Sequence, residues 1–398
     1  MKRFILIAAL LGLMAGCQQP TLSQSKVEAQ QRWSHTRATM LYGVGVEQLK
    51  VGQLDRAGAK AMEALALDAN YTDAKILLAK VWIEQGSYRN AIEQLTAVCE
   101  EKPKAAEPLY LLAVAQEKDG QLKEALANYR KSHALETSNL APVAAATEVM
   151  IQLNQPRQAR EYIESYISQA GEDMTMYELA GRLAMGEQDY ARAVRYYQQA
   201  HDLDTGNYRY REALAEALLG NGRPQDAADV LGDLVNEKDY TASARVLCLL
   251  GDSHLAAKSP RDARDAYRRA TELQPRNAGT WTQLAKAALA MKDYDRCVVA
   301  ARTALEVDAA DVPANYVLGY ALLLQGQNGQ ALAAMKAADA ANPDNAVVLC
   351  LLGRAYAATG DSKQARECYR KALELEGDNV VAQELLAKVQ SPNGKPHE

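Results

Sequence analysis

The residues able to do chemistry in this 398-residue chain are few and scattered. Its five histidines, His35, His133, His201, His254 and His397, never stand four apart, and no CxxC or HExxH occurs, so the sequence offers no metal-ligand set. It also contains no GxSxG, P-loop or GxGxxG, the spacings that build a nucleophile elbow, a phosphate cradle or a dinucleotide turn. Glu212 and Glu216 lie one helical turn apart, as a hydrolytic carboxylate pair would, but no base or metal ligand accompanies them. The reading is therefore no enzyme, no metal, no cofactor and no small-molecule substrate. Of six cysteines, Cys17 stands apart, close behind an apolar run. The other five, Cys99, Cys248, Cys297, Cys350 and Cys368, are an odd number, which argues against a full disulfide framework.

The elements that would position such residues repeat. Ala57, Ala91, Ala125, Ala159, Ala193 and Ala227 are 34 residues apart; Ala263 follows after 36, and Cys297, Ala331 and Ala365 resume the step of 34. A second small column sits 12 residues earlier: Gly45, Ala79, Ala113, Thr147, Gly181, Ala215, Gly251, Ala285, Gly319 and Gly353. Four residues after the first column comes a larger one, including Leu95, Tyr129, Ile163, Leu231, Tyr267, Met335 and Tyr369. Offsets of three and four put these residues on single helical faces. Gly52, Gly86, Gly120, Asn154, Gly222, Gly326 and Gly360 fall between the two faces, where a left-handed C-cap is expected. Pro103, Pro275 and Pro343 fall at the end of the second face and stop it. Each period is thus a helix, a turn and a second helix, and a period in this range marks a stack of supersecondary units.

The pattern resembles the tetratricopeptide repeat family over roughly residues 38–379, most fully at Trp281-Thr282-Gln283-Leu284-Ala285 and at Ala365-Arg366-Glu367-Cys368-Tyr369-Arg370-Lys371-Ala372-Leu373. The resemblance implies an all-α fold: a right-handed α-solenoid of about ten helix-turn-helix units over 38–379, a capping helix at 380–390 and a frayed tail at 391–398. Two departures are local. Pro156 falls in the turn of the fourth repeat, and the sixth has two extra residues near 236–241. Both read as loop drift or, alternatively, as a bend or docking point.

Composition agrees with a protein-binding surface. With 48% apolar and 24% charged residues and a net charge of −5, the chain has no basic stripe, which argues against nucleic acid. Phe4 is its one phenylalanine, so aromatic packing rests on 20 tyrosines. Cys297 occupies the small column and is expected to be buried and inert. Cys350 and Cys368 lie on different helices of one repeat with columns pointing apart, so a bond between them is the lesser reading.

Lys2 and Arg3 precede an apolar run at 4–14, too short to span a bilayer and shaped like a signal peptide. The run ends in Met14-Ala15-Gly16-Cys17, which resembles the lipobox of bacterial lipoproteins, with Met14 where leucine is commoner. The resemblance implies a signal peptide at 1–16 and an acylated, palmitate-bearing Cys17 that anchors the chain to a membrane. With Gln18 rather than aspartate next, it implies the outer membrane, facing the periplasm. Residues 17–37 then read as the lipidated cysteine and a tether, helical in its later part around 27–33.

In this family the first helices of the repeats line the concave face. The positions expected to point inward are Tyr42, Val46, Ile76, Lys80, Tyr110 and Val114 in the first three repeats, aromatic and aliphatic with one cation. The middle supplies Glu148, Glu178, Arg182, Arg209, Glu212, Glu216, Arg245 and Asp252. The last three repeats supply Thr282, Lys286, Tyr316, Tyr320, Cys350 and Arg354. Two terminal aromatic pockets would grip protein segments, with the middle selecting basic or polar residues; alternatively, the middle charges are a solvated face of internal ion pairs. The architecture resembles the repeat lipoproteins that serve type IV and tight-adherence pilus systems. That implies a scaffold for envelope components such as a secretin; the alternative is an adaptor for peptidoglycan synthases or hydrolases.

Overall fold

The computed structural model describes residues 22–390, with side chains from residue 26 onward. The leader, Cys17 and the 391–398 tail lie outside the described residues. Among those described there are 21 α-helices, one short 3-10 turn and no strand. The chain divides into two compact units after Leu183.

The first unit contains α1 (Leu22–Lys50), α2 (Leu54–Leu67), α3 (Thr72–Glu84), α4 (Tyr88–Glu101), α5 (Ala106–Lys118), α6 (Leu122–Leu135), α7 (Ala141–Gln152) and α8 (Pro156–Tyr166). A 3-10 turn at Ile167–Gln169 follows, and α9 (Met174–Gly186) runs across the division. The second unit contains α10 (Tyr190–Leu203), α11 (Tyr208–Gly220), α12 (Pro224–Val235), α13 (Ala244–Ala256), α14 (Pro260–Leu273), α15 (Ala278–Ala290), α16 (Tyr294–Val307), α17 (Val312–Leu324), α18 (Asn328–Ala341), α19 (Ala346–Ala358), α20 (Ser362–Leu375) and α21 (Val380–Gln390). The helices follow one another as hairpins, about ten in all, with α21 closing the series.

Small residues make the hairpins close. Every member of the 34-residue column, from Ala57 through Cys297 to Ala365, is fully buried. Opposite it, the second small column is buried as well, at Ala79, Ala113, Thr147, Ala215 and Ala285. The larger residues beside them, Tyr129, Tyr267, Tyr369, Leu95, Ile163, Leu231 and Met335, are the largest fully buried side chains or close to it. Burial of such a side chain contributes about 1.5–3 kcal/mol. Consecutive helices pack from α1 to α8 in the first unit and from α10 to α21 in the second. Beyond that, α1 meets α3 and α3 meets α5 in the first unit; α11 meets α13, α15 meets α17 and α17 meets α19 in the second. Among the described residues no two successive second helices pack to that extent. The first helices therefore crowd together on one face of each unit, the inner face.

The turns close as expected. Gly52, Gly86, Gly120, Gly222, Gly326, Gly360 and Asn154 all have positive φ. At Gly52 the N–H reaches back to Leu49 and the next N–H, of Gln53, to Gln48, 2.8 Å away, satisfying the last helical carbonyls. Three further turns use neither glycine nor asparagine: Gln188, Lys258 and Lys292 have φ of 60°, 61° and 60°. Pro103, Pro275 and Pro343 each stand two residues past the end of α4, α14 and α18. Two residues after the last two prolines, Asn277 and Asn345 cap α15 and α19 by accepting from Thr280 and Val348 N–H.

Two local features differ from the sequence expectation, and a third falls where it was expected. Pro156 is the first helical residue of α8, not a turn residue; its missing N–H is one the helix start leaves unpaired anyway. The segment read as a tether is helical from Leu22 and continues into the first repeat as one 29-residue helix. Nothing between 22 and 42 is glycine or proline, so no residue there stops it. The two extra residues of the sixth repeat lengthen its exit: eight residues, 236–243, join α12 to α13, where four, 308–311, join α16 to α17.

Candidate functional site

On the inner face of the first unit, Tyr42 and Val46 of α1 meet Ile76 and Lys80 of α3 across a groove of about 240 Å³. Tyr42 stacks edge-on against Tyr71, 5.5 Å between centroids. Lys80 donates to Glu107 at 2.7 Å, so its charge is met within the chain. Tyr110 sits apart from this groove, 5.6 Å from the Tyr129 ring and packed on the same core cluster. Burial raises the phenol pKa of both Tyr42 and Tyr110 above its ordinary value. Further along the same unit, Arg182 pairs with Glu148.

In the second unit the carboxylate pair is already engaged. Arg245 donates to Glu212 at 2.6 Å and to Glu216 at 3.4 Å, and the Tyr240 hydroxyl donates to Glu212 at 2.9 Å. Tyr240 belongs to the long 236–243 connection. Its ring meets Tyr208 edge-on at 5.0 Å, and Arg211 lies over Tyr208 while pairing with Glu237 of the same connection. A hydrogen bond from Arg211 holds the Glu237 carboxyl below its usual range. Of the middle charges, Glu148 with Arg182 and Glu212 and Glu216 with Arg245 form internal ion pairs, while Asp252 accepts from Tyr267 and Gln283. A single guanidinium thus bridges both Glu212 and Glu216. Sequence reasoning missed Tyr208, Glu237 and Tyr240; the extra residues of the sixth repeat were the signal that could have found them.

Toward the end of the second unit, Tyr316 and Tyr320 of α17 lie beside Leu351 and Leu352 of α19. The Arg354 guanidinium stands 5.7 Å from the Tyr320 ring centroid. Burial, then the neighbouring Tyr320, raises the Tyr316 phenol pKa. The three residues expected to act together are therefore together. Lys286 lines a separate groove of about 390 Å³ with Asp252, Thr282, Gln283 and Asp311. Two residues read as facing a partner are instead buried, Thr282 at 3% and Cys350 at 5% exposure. Their short side chains stop below the level that Tyr316 reaches from the same column. Ile76 is also buried, although its edge lines the first groove.

All five described cysteines are free thiols. Burial pushes the Cys297 thiol up to about 12 and raises Cys99, Cys248, Cys350 and Cys368 as well. Such thiols are poor nucleophiles. Among the described residues no three of His, Cys, Asp and Glu converge as a metal site, and no helix is long and apolar enough to cross a membrane.

Stacked hairpins with an inner face of tyrosines, aliphatic residues and isolated cations define a helical-repeat scaffold for protein–protein interaction. The chain belongs to the tetratricopeptide repeat family: two family profiles, each described as tetratricopeptide repeat, match residues 76–135, 151–208, 248–296 and 282–346, and residues 184–245 and 322–389. The chain is similar to Superkiller complex protein 3 of Mus musculus, 26% identical over 244 residues, which is 60% of this chain and 16% of that protein. It is also similar to anaphase-promoting complex subunit 3 of Schizosaccharomyces pombe, 24% identical over 201 residues, 50% of this chain and 30% of that protein. It therefore spans less than a third of the length of either curated relative. Among solved structures, the APC/C hetero-tetramer Cut9-Hcn1 aligns with 15% identity over 89% of this chain and 76% of that one, with a TM-score of 0.47.

Proposed function

We propose that this protein is an outer-membrane lipoprotein, held by an acylated Cys17 and facing the periplasm, that scaffolds assembly of an envelope machine such as a type IV or tight-adherence pilus or its secretin. The observation that carries the reading is the Met14-Ala15-Gly16-Cys17 run behind a short apolar leader with Lys2 and Arg3 before it. Several acyl chains hold firmly, at about 0.8 kcal/mol per buried CH₂. The repeat fold implies protein partners, and the Tyr316–Tyr320–Arg354 surface has the residue types that carry binding energy at interfaces. The docked component is held by that surface while the anchor keeps it at the membrane.

Two measurements test this. Metabolic labelling with a palmitate analogue is expected to mark the intact chain and not Cys17→Ala; equal labelling removes the anchor. In-cell crosslinking is expected to recover a secretin or pilus component that is lost when Tyr316, Tyr320 and Arg354 are changed to Ala. Recovery of wall enzymes instead would make the chain an adaptor for peptidoglycan synthases or hydrolases. An unchanged partner list in the triple variant would remove this surface from the reading.

A further inference from the structure

A second surface lies on the other side of the second unit, away from the first-helix face. A groove of about 560 Å³ runs between α14 and α16, both second helices of their hairpins, with α15 as its floor. Trp281, Leu284 and Ala288 of α15 form that floor, and Val299 of α16 forms one wall. Val299 is 64% exposed. The same position in neighbouring repeats holds Asp265, Ala333 and Glu367, small or charged residues suited to solvent. The Trp281 indole N–H donates to the Pro275 carbonyl at 2.9 Å, so the part of the ring facing the groove has no polar atom left to satisfy. The groove therefore asks for an apolar side chain, and its volume falls within the roughly 300–1,000 Å³ of ligand pockets.

The rim decides the flanks. Both rim carboxylates are engaged by neighbours: Asp265 accepts from Arg264 at 2.7 Å, and Asp295 accepts from the Gln325 amide at 2.7 Å. The remaining rim charges are Arg268 on α14 and Arg296 on α16. Arg268 has only a 3.8 Å contact to Glu272, with both side chains more than 60% exposed. Arg296 holds Asp293 at 2.9 Å, but its own side chain is 69% exposed. Ion pairs so exposed are worth little, and the arginines exchange them readily for a better-buried carboxylate.

We infer that this groove is a second docking site, for a partner-protein segment that sets a leucine-type side chain on Trp281, Leu284 and Val299 and carboxylates on Arg268 and Arg296. It is independent of the Tyr316–Tyr320–Arg354 surface. A chain with two such faces joins two components rather than holding one.

The test uses the full chain with Trp33→Phe and Trp82→Phe, so that Trp281 fluorescence reports the groove alone. The probe is a synthetic helical peptide with leucines three and four apart and glutamates between them. A saturable blue shift is expected. It should weaken at least about tenfold, a loss of about 1.4 kcal/mol, when the glutamates are replaced by lysine, when the leucines are replaced by alanine, or in Val299→Glu. Val299 is exposed, so that variant leaves the core intact. Tyr316→Ala/Tyr320→Ala/Arg354→Ala should respond like the parent, which separates this site from the inner face. No shift, an equal response to all three peptides, or an undiminished response in Val299→Glu would overturn the inference. So would a shift that follows protein concentration without peptide, the mark of self-association through the groove.

Discussion

The ring of Tyr267 lies against Gly251, sixteen residues earlier on the facing helix, so closely that a Cβ on the glycine would stand 2.5 Å from the ring. The same contact recurs between Gly353 and Tyr369, at 2.4 Å, and between Gly319 and Met335, at 2.7 Å. Tyr267 is further fixed by its hydroxyl, which donates to Asp252 at 2.6 Å. A glycine in mid-helix costs helix stability, yet these positions need one because the space a methyl would take is filled by the partner.

Gly251→Ala should therefore destabilise the chain by about 1–3 kcal/mol, since the buried ring cannot retreat. Gly43→Ala, in α1 with nothing within 4 Å of the added carbon, should stabilise it by about 0.5–1 kcal/mol. Urea unfolding followed by helical circular dichroism checks both. Equal effects would mean that close approach plays no part.

The left-handed turns make an opposite pair. Lys292 has a φ of 60° and carries the strain of a side chain there, so Lys292→Gly should gain up to about 1 kcal/mol. Gly326, φ 74°, has open space around it, so Gly326→Ala should lose about 1 kcal/mol from backbone strain alone. Melting temperatures moving in opposite directions confirm this; movement in one direction refutes it.

Alkaline pH should unfold the protein in a defined window. Cys297 titrates near its ordinary 9.0 when unfolded and at about 12 when folded, so between those values the unfolded chain binds fewer protons than the native one. Stability from this group is complete below pH 9 and falls as pH rises toward 12. Tyr162, raised from 10.0 to about 12, adds to the same slope, and Tyr129 and Tyr267 are raised further. Cys297→Ala should flatten the loss between pH 9 and 12. A thiol reagent at pH 8 should label Cys297 only after denaturant is added.

Arg245 bridges two carboxylates yet is mostly exposed, so Arg245→Ala should change global stability by less than about 1 kcal/mol. Hydrogen exchange should still quicken in 236–243, because Glu212, freed of its guanidinium, holds Tyr240 less firmly. Unaltered exchange there would show that Tyr208 and Glu237 pin the connection without it.

What was legible in the sequence is what sterics repeat. Ten small residues spaced by 34, and once by 36, are all fully buried because each stands where two helices of a hairpin approach closely. The glycine turns were legible for the same reason, whereas Gln188, Lys258 and Lys292 adopt an identical turn under residue types that give no sign of it. Placement on a face was legible, but depth was not. Thr282 and Tyr316 occupy equivalent positions, yet the short threonine is buried at 3% exposure while the longer tyrosine stays partly exposed beside Leu351 and Leu352. Charge pairing was least legible, since Arg245 finds Glu212 across 33 residues and Tyr240 reaches it from a connection without counterpart in the other repeats.

The contacts of Tyr267, Met335 and Tyr369 with the glycine sixteen places before each lie wholly inside one period. The Gly319–Met335 and Gly353–Tyr369 periods therefore each carry both halves of their own fit, and neither half depends on a match in the adjoining hairpin. In genetic terms the period is a cassette. Exchanging 312–345 for 346–379 as whole blocks moves each fit intact, and a crossover between residues 319 and 335 still sets a large side chain, Tyr369 or Met335, against a glycine. What such shuffling must keep is a glycine sixteen residues before the large side chain, since a Cβ there would stand only 2.4–2.7 Å from it.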